Sequence, residues 1–254
     1  MKKLPITLSI VTLLVTAVFI GCKKDAVTAP QTSVEKPHTS SQHRINLNTP
    51  GEKHNYILSE YHTQYGFTTT NLTIAQVRAI IFHSAEIAIA ADIIDNTTDP
   101  DDFADAMIQK KIDLGMFTNN GIYRTAAENL TIMEGEITNT AIKTAIHNIN
   151  NYNGSHSGFI AYAQSQVSGL QNLNAGEQEM MTGYMSILSS SFTYWDNYYQ
   201  GLPTPSPGGN ERRTRDVTMV DAMGFTNGLY GENGKMDFRR AIVFSEAMSA
   251  SFGN

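Results

Sequence analysis

His83 and Glu86 lie three residues apart in an apolar segment, the spacing at which two side chains share one face of a helix. An imidazole nitrogen and a carboxylate oxygen on one face could bind a divalent cation together. The sequence offers no second clear ligand pair and no H-E-x-x-H motif. Two interpretations stay open, a metal site and, as the favoured one, a buried histidine hydrogen-bonded to its own helix.

Several common enzyme signatures are missing from the chain. It contains no G-x-S-x-G nucleophile motif, no P-loop and no G-x-G-x-x-G dinucleotide motif. Its single cysteine excludes an intrachain disulfide framework and a redox-active cysteine pair. The sequence therefore favours a binding protein over an enzyme, with a metal-binding protein or enzyme as the rival hypothesis.

Composition limits the class of partner. The 254 residues carry a net charge of −6 at pH 7, from 18 basic and 24 acidic side chains. This balance argues against nucleic acid as a partner. A hydrophobic fraction of 41% is too high for a wholly disordered protein, so a folded body is expected.

The histidine and glutamate motif also resembles that of a known family. Phe82-His83-Ser84-Ala85-Glu86 is similar to the His-x-x-Glu motif of imelysin-like proteins, which are helical, often lipid-anchored proteins of the bacterial envelope. The match covers four positions and lacks the preceding glycine of that family. It implies iron or another divalent cation on His83 and Glu86, with His54 or acidic residues completing the shell.

The N-terminus has the organisation of a secretory signal. Lys2 and Lys3 precede an apolar run over residues 4–20, which ends at Gly21-Cys22. Val18-Phe19-Ile20-Gly21-Cys22 resembles the lipobox of bacterial lipoproteins, with Phe19 where leucine is usual. The resemblance implies cleavage before Cys22 and a covalent lipid on that residue, which anchors a chain in a membrane without a spanning helix. Loss of Lys2 and Lys3 would change the net charge from −6 to −8.

The residues after Cys22 indicate where the anchored protein resides. Lys23-Lys24-Asp25 is similar to the start of surface-exported lipoproteins in one lineage of Gram-negative bacteria. We expect a lipid-anchored protein at the outer membrane or cell surface of a bacterium, and the sequence leaves the side of the membrane open.

Residues 23–50 are rich in Lys, Thr, Ser, Gln and Pro, which predicts a flexible tether.

The remaining apolar residues recur mostly at helical spacing, which predicts an all-α fold, a bundle of about six or seven helices. The segment from Thr73 to Asp95 is the most hydrophobic and is expected to form a buried central helix. A single helix is expected from about Tyr123 to Asn150. The predicted organisation is a signal peptide (1–21), a lipidated tether (22–49), a helical bundle (50–200), a Pro/Gly-rich loop (201–215) and a C-terminal helical hairpin packed on the bundle (216–254).

Aromatic residues near the end of the bundle form a candidate binding surface. Phe192, Trp195 and Tyr199 share one helical stripe and are expected in the core, whereas Tyr194 and Tyr198 lie on another face. These two tyrosines are the better candidates for a surface that binds a sugar or a partner.

A second resemblance covers three separated segments. Gly51-Glu52-Lys53-His54-Asn55-Tyr56-Ile57-Leu58, Ser189-Ser190-Ser191-Phe192-Thr193-Tyr194-Trp195 and Asp221-Ala222-Met223-Gly224 are similar to a group of uncharacterised bacterial envelope proteins. That group has a G-x-x-H-N-x-x-L start, a helix ending in Tyr-Trp and a D-x-x-G stretch before a glycine-rich tail. The resemblance supports the domain organisation and adds His54 and Asn55 to the candidate surface, with a helix cap as their alternative role.

Together these observations favour a non-enzymatic, lipid-anchored helical module that binds an envelope protein or an extracellular ligand. The first alternative is an imelysin-like metal-binding protein that uses His83 and Glu86. The second is an accessory subunit of an envelope complex.

Overall fold

A computed structural model describes residues 47–66, 71–202, 208–229, 237 and 239–245. In these ranges the fold is all-α, as the apolar periodicity predicts, with eight α-helices, a short 3-10 helix at His156–Gly158 and further helical residues at 239–245. The α-helices are α1 (Pro50–Tyr65), α2 (Ile74–Ala90), α3 (Pro100–Asp113), α4 (Ala126–Gly135), α5 (Thr140–Asn150), α6 (Phe159–Ser168), α7 (Ala175–Gln200) and α8 (Gly209–Gly228).

Local sequence sets where most of these helices begin. In four of them a capping box links the residue before the helix to the third helical residue, so two backbone N–H groups are satisfied reciprocally. The helix α3 begins instead with Asp99 as N-cap and Pro100 in the first turn. The capping boxes are Thr49 with Glu52, Thr73 with Gln76, Thr125 with Glu128 and Asn174 with Glu177.

The most extensive helix pair is α7 with α8. Helix α1 packs on α7, α4 packs on α8, and α2 pairs with α3. A small apolar cluster of Leu58, Trp195, Tyr199 and Val217 lies where α1, α7 and α8 meet. Gly51 allows α1 to approach α7 closely, because a Cβ atom there would collide with the backbone oxygen of Ser186.

The central helix is α8, and the prediction that the segment from Thr73 to Asp95 has this role is wrong. Every residue of α8 from Val217 to Gly228 is buried, whereas α2 buries only part of its surface and ends at Ala90. The hydropathy of α8 does not indicate its burial, because the buried residues include polar ones such as Asp221 and Asn227. Their side chains are hydrogen-bonded inside the protein.

Two other predicted boundaries are wrong. The single helix expected from Tyr123 to Asn150 is two helices, because α4 ends at Gly135 and the side chain of Asn139 caps α5 by accepting from two backbone N–H groups. The predicted loop over residues 201–215 is shorter than expected, since α8 already begins at Gly209. The described part therefore has more helices than the predicted six or seven.

The predicted membrane anchor lies outside the described residues. Residues 1–46, which include the predicted signal peptide, Cys22 and most of the tether, are not among them. Of the helices in the described ranges, none is both long enough and apolar enough to span a bilayer.

Candidate functional site

Three sequence segments that are far apart in the chain meet in one buried polar cluster. His54 on α1, Ser191 and Trp195 on α7, and Asp221 on α8 are each fully buried. These residues belong to the three segments that resemble the uncharacterised envelope proteins. The structure therefore brings together motifs whose proximity the sequence did not predict.

The carboxylate of Asp221 is the centre of this cluster. Its Oδ2 accepts hydrogen bonds from the Ser191 hydroxyl and from Trp195 Nε1, the latter at 3.0 Å. The backbone oxygen of Asp221 accepts a third bond from the Ser245 hydroxyl, at 2.5 Å. Because these donors lie on α7 and on the helical segment 239–245, Asp221 joins α8 to two neighbouring elements.

The protonation of His54 follows from its neighbours. Asn55 Nδ2 donates to the backbone oxygen of Ser190 at 2.8 Å, so Asn55 Oδ1 is left to face His54 Nδ1 at 3.0 Å. The proton of the neutral imidazole therefore resides on Nδ1. The other ring nitrogen, Nε2, lies 3.7 Å from Asp221 Oδ2. Burial lowers the pKa of His54 to about 4, so the ring is neutral at pH 7.

The cluster contains serine, histidine and aspartate without the order of bonds that activates a serine. In a catalytic triad the hydroxyl bonds to histidine, and histidine bonds to the carboxylate. Here the Ser191 hydroxyl donates to Asp221 itself. The arrangement instead joins α8 to α7 and to the segment 239–245 through Asp221 and its donors, while Asn55 bonds α1 to α7.

The prediction that His54 contributes to a binding surface is wrong, because its side chain is fully buried. Its alternative role as a helix cap is not observed either, since Thr49 and Glu52 form the cap of α1. Asn55 is partly buried and bonds to α7 through Ser190, so its amide serves helix packing.

Tyr194 and Tyr198 are half-buried on α7 and pack against the small apolar cluster, whereas Trp195 and Tyr199 are buried in it. The ring of Tyr198 contacts His62 of α1 edge to face, with 5.2 Å between ring centroids. Three residues farther along α1, Tyr65 stacks on His83 of α2, with centroids 4.2 Å apart. We call the set His62, Tyr65, His83, Tyr194 and Tyr198 the aromatic band.

His83 is partly buried, Glu86 is exposed, and the two side chains bond to each other. His83 Nδ1 lies 3.0 Å from Glu86 Oε2, and their side chains are 31% and 46% exposed. The favoured sequence interpretation is thus right about the bond within one helix and wrong about burial. A cation held by both groups would have to replace this bond. In the part of the chain that the structure describes, no group of three or more His, Cys, Asp or Glu side chains is arranged to hold a metal ion.

One fully buried lysine was not predicted from the sequence. Lys111 is fully buried on α3, where its ammonium group lies 3.2 Å from the Tyr123 hydroxyl and 3.8 Å from the ring centroid of Phe244. This cation–π contact stabilises a charge that would otherwise be costly to bury. The helical spacing could have indicated this burial, because Lys111 lies on the same face of α3 as Ala104 and Ile108.

Comparison with known proteins provides no assignment for this site. No family model, no curated protein and no solved structure matches the chain.

Proposed function

We propose that this chain is a non-enzymatic binding module, anchored through a lipid on Cys22 at the outer membrane or cell surface of a bacterium. The observation that supports the binding role is the aromatic band. Tyr65 leaves 45% of its surface exposed, although its ring is stacked on His83. The band brings side chains from α1, α2 and α7 to one surface.

The chemistry of the band suits recognition of another protein. Tyrosine and histidine rings offer a large contact area, few rotatable bonds and a polar edge for hydrogen bonds. The Glu86 carboxylate adds charge at one end of the band, where burial and, to a smaller extent, this charge raise the pKa of the Tyr65 hydroxyl. We therefore propose an envelope protein as the partner, and a subunit role in an envelope complex is the related alternative.

Crosslinking in intact cells tests this surface. A photoreactive phenylalanine analogue in place of Tyr65 or Tyr198 should yield a defined covalent adduct with a partner protein. The same analogue in place of Tyr162, a half-buried tyrosine on α6, is the matched control and should yield no such adduct. Identical adducts at all three positions, or none at positions 65 and 198, would contradict the proposed surface.

Membrane attachment is tested separately. The Cys22→Ser variant should lose incorporation of labelled palmitate and move from the membrane fraction to the soluble fraction, because acyl chains supply about 0.8 kcal/mol of membrane affinity per buried methylene. Fractionation and lipid labelling measure both effects. Retention of label and of membrane association in this variant would show that the lipid is not on Cys22.

A further inference from the structure

A cavity of about 430 Å³ lies between α4, α5 and α8, and no motif predicted it. Its apolar surface comes from residues such as Leu130 of α4 and Met219 of α8. Both side chains are buried parts of the main core, so this surface is built into the fold. The cavity therefore combines a fixed apolar surface with the polar groups of three helices.

Two of these polar groups are carboxylates on different helices, Glu134 of α4 and Asp216 of α8. Glu134 is largely buried, and its two carboxylate oxygens accept from His147 at 2.8 Å and from Asn150 Nδ2 at 3.4 Å. Asp216 adds a second carboxylate, and burial raises the pKa of its carboxyl group. A ligand that brings several donors would satisfy these acceptors.

We propose that the cavity binds a primary ammonium group carried on an aliphatic chain. An ammonium group has three donors, a positive charge and no acceptor, which complements the carboxylates of Glu134 and Asp216. The aliphatic chain would lie against Leu130 and Met219. Diamines, polyamines and the lysine side chains of peptides share this chemistry.

Arg212 distinguishes this ligand from an anion. Its Nε atom lies 3.7 Å from Asp216 Oδ2, but its side chain is 80% exposed, so the pair is a weak surface contact. An ammonium ligand competes with Arg212 for Asp216, whereas a carboxylate ligand would need Arg212. Removal of the guanidinium therefore has opposite effects on the two classes of ligand.

Calorimetric titration of the purified full chain with 1,5-diaminopentane tests the proposal. Saturable binding is expected for the diamine and not for 1,5-pentanediol, which has the same chain and no charge. Glu134→Gln and Asp216→Asn should each weaken binding at least about tenfold, because each removes a charged acceptor. Arg212→Gln should tighten binding. Glu179→Gln, at an exposed position on α7, is the matched control and should leave binding unchanged.

Circular dichroism should show that each variant retains the helical fold, and Asp216, which is only partly buried, is the safer position to change. The absence of diamine binding, or equal binding of the diol, would overturn the proposal. Binding of glutarate that Arg212→Gln abolishes would also overturn it, since the cavity would then be an anion site.

Discussion

Asp221→Ala should lower the free energy of unfolding by about 2–4 kcal/mol, because it leaves two buried donors without their acceptor. Those donors are the Ser191 hydroxyl and Trp195 Nε1, both fully buried. Trp195 is the only tryptophan in the chain, so its fluorescence reports directly on this cluster during unfolding in denaturant. Asp221→Asn should be less destabilising because it keeps one acceptor oxygen.

Asp113→Ala is the matched control for this experiment. Asp113 is exposed at the end of α3, where its carboxylate accepts one bond from Gln109. Its loss should change the free energy of unfolding by no more than about 0.5 kcal/mol. Equal stability of the Asp221→Ala variant and the wild type would show that the Asp221 carboxylate does not hold α8 to α7.

The protein should lose stability as the pH falls from about 6.5 to about 4. The pKa of His54 is about 4 in the folded protein and near 6.5 in the unfolded chain, so the unfolded state binds more protons in this interval. The contribution of His54 is complete above pH 6.5 and decreases as the pH falls. At 1.36 kcal/mol per pKa unit, the loss approaches about 3 kcal/mol near pH 4.

Burial also lowers the pKa of the half-buried His62, which adds to the effect of His54 in the same interval, whereas carboxyl groups with lowered pKa values act at lower pH. Five carboxyl groups have pKa values below the ordinary range, so the stability they contribute is present above about pH 4.5 and is lost only as the pH falls further. Hydrogen bonds or ion pairs cause each of these shifts. The five are Glu52, Asp95, Asp105, Glu128 and Glu177.

Denaturant unfolding at a series of pH values measures the effect of His54. The His54→Gln variant should lose most of the dependence between pH 6.5 and 4.5, whereas His147→Gln, at an exposed histidine, should retain it. If the glutamine variant does not fold, the imidazole resonances of the wild type give the pKa directly. A measured pKa of 6.5 or higher for His54 would contradict the buried neutral ring.

The bounds of several helices are encoded by local signals in the sequence. Asp99-Pro100 starts α3, Asn174 caps α7, and Gly66 follows α1. The central position of α8 was not predictable from hydropathy. Burial of Asp221 and Asn227 depends on partners that are remote in the chain, and a hydrophobic pattern does not report such partners.

The candidate site was predictable only in part. His54, Ser191, Trp195 and Asp221 lie in the three segments that the sequence singled out, but the sequence could not show that they meet. Tyr194 and Tyr198 were predicted as surface residues, and the structure adds His62, whose ring contacts Tyr198, and Tyr65 three residues farther along α1. Tyr65 stacks on His83 because α1 and α2 pack together, and local sequence does not indicate which helices pack together.

The start of α1 also determines how the fold would respond to mechanical load. Tension on the chain ahead of Leu47 would reach the bundle through the packing of Leu47 on the core, the capping box and the bond from Gly51 N to Ser186 Oγ. The bond from Asn55 to Ser190 lies one helical turn beyond. Both hydrogen bonds hold α1 to α7, so a pull on the chain ahead of α1 would be shared with the longest helix of the described fold.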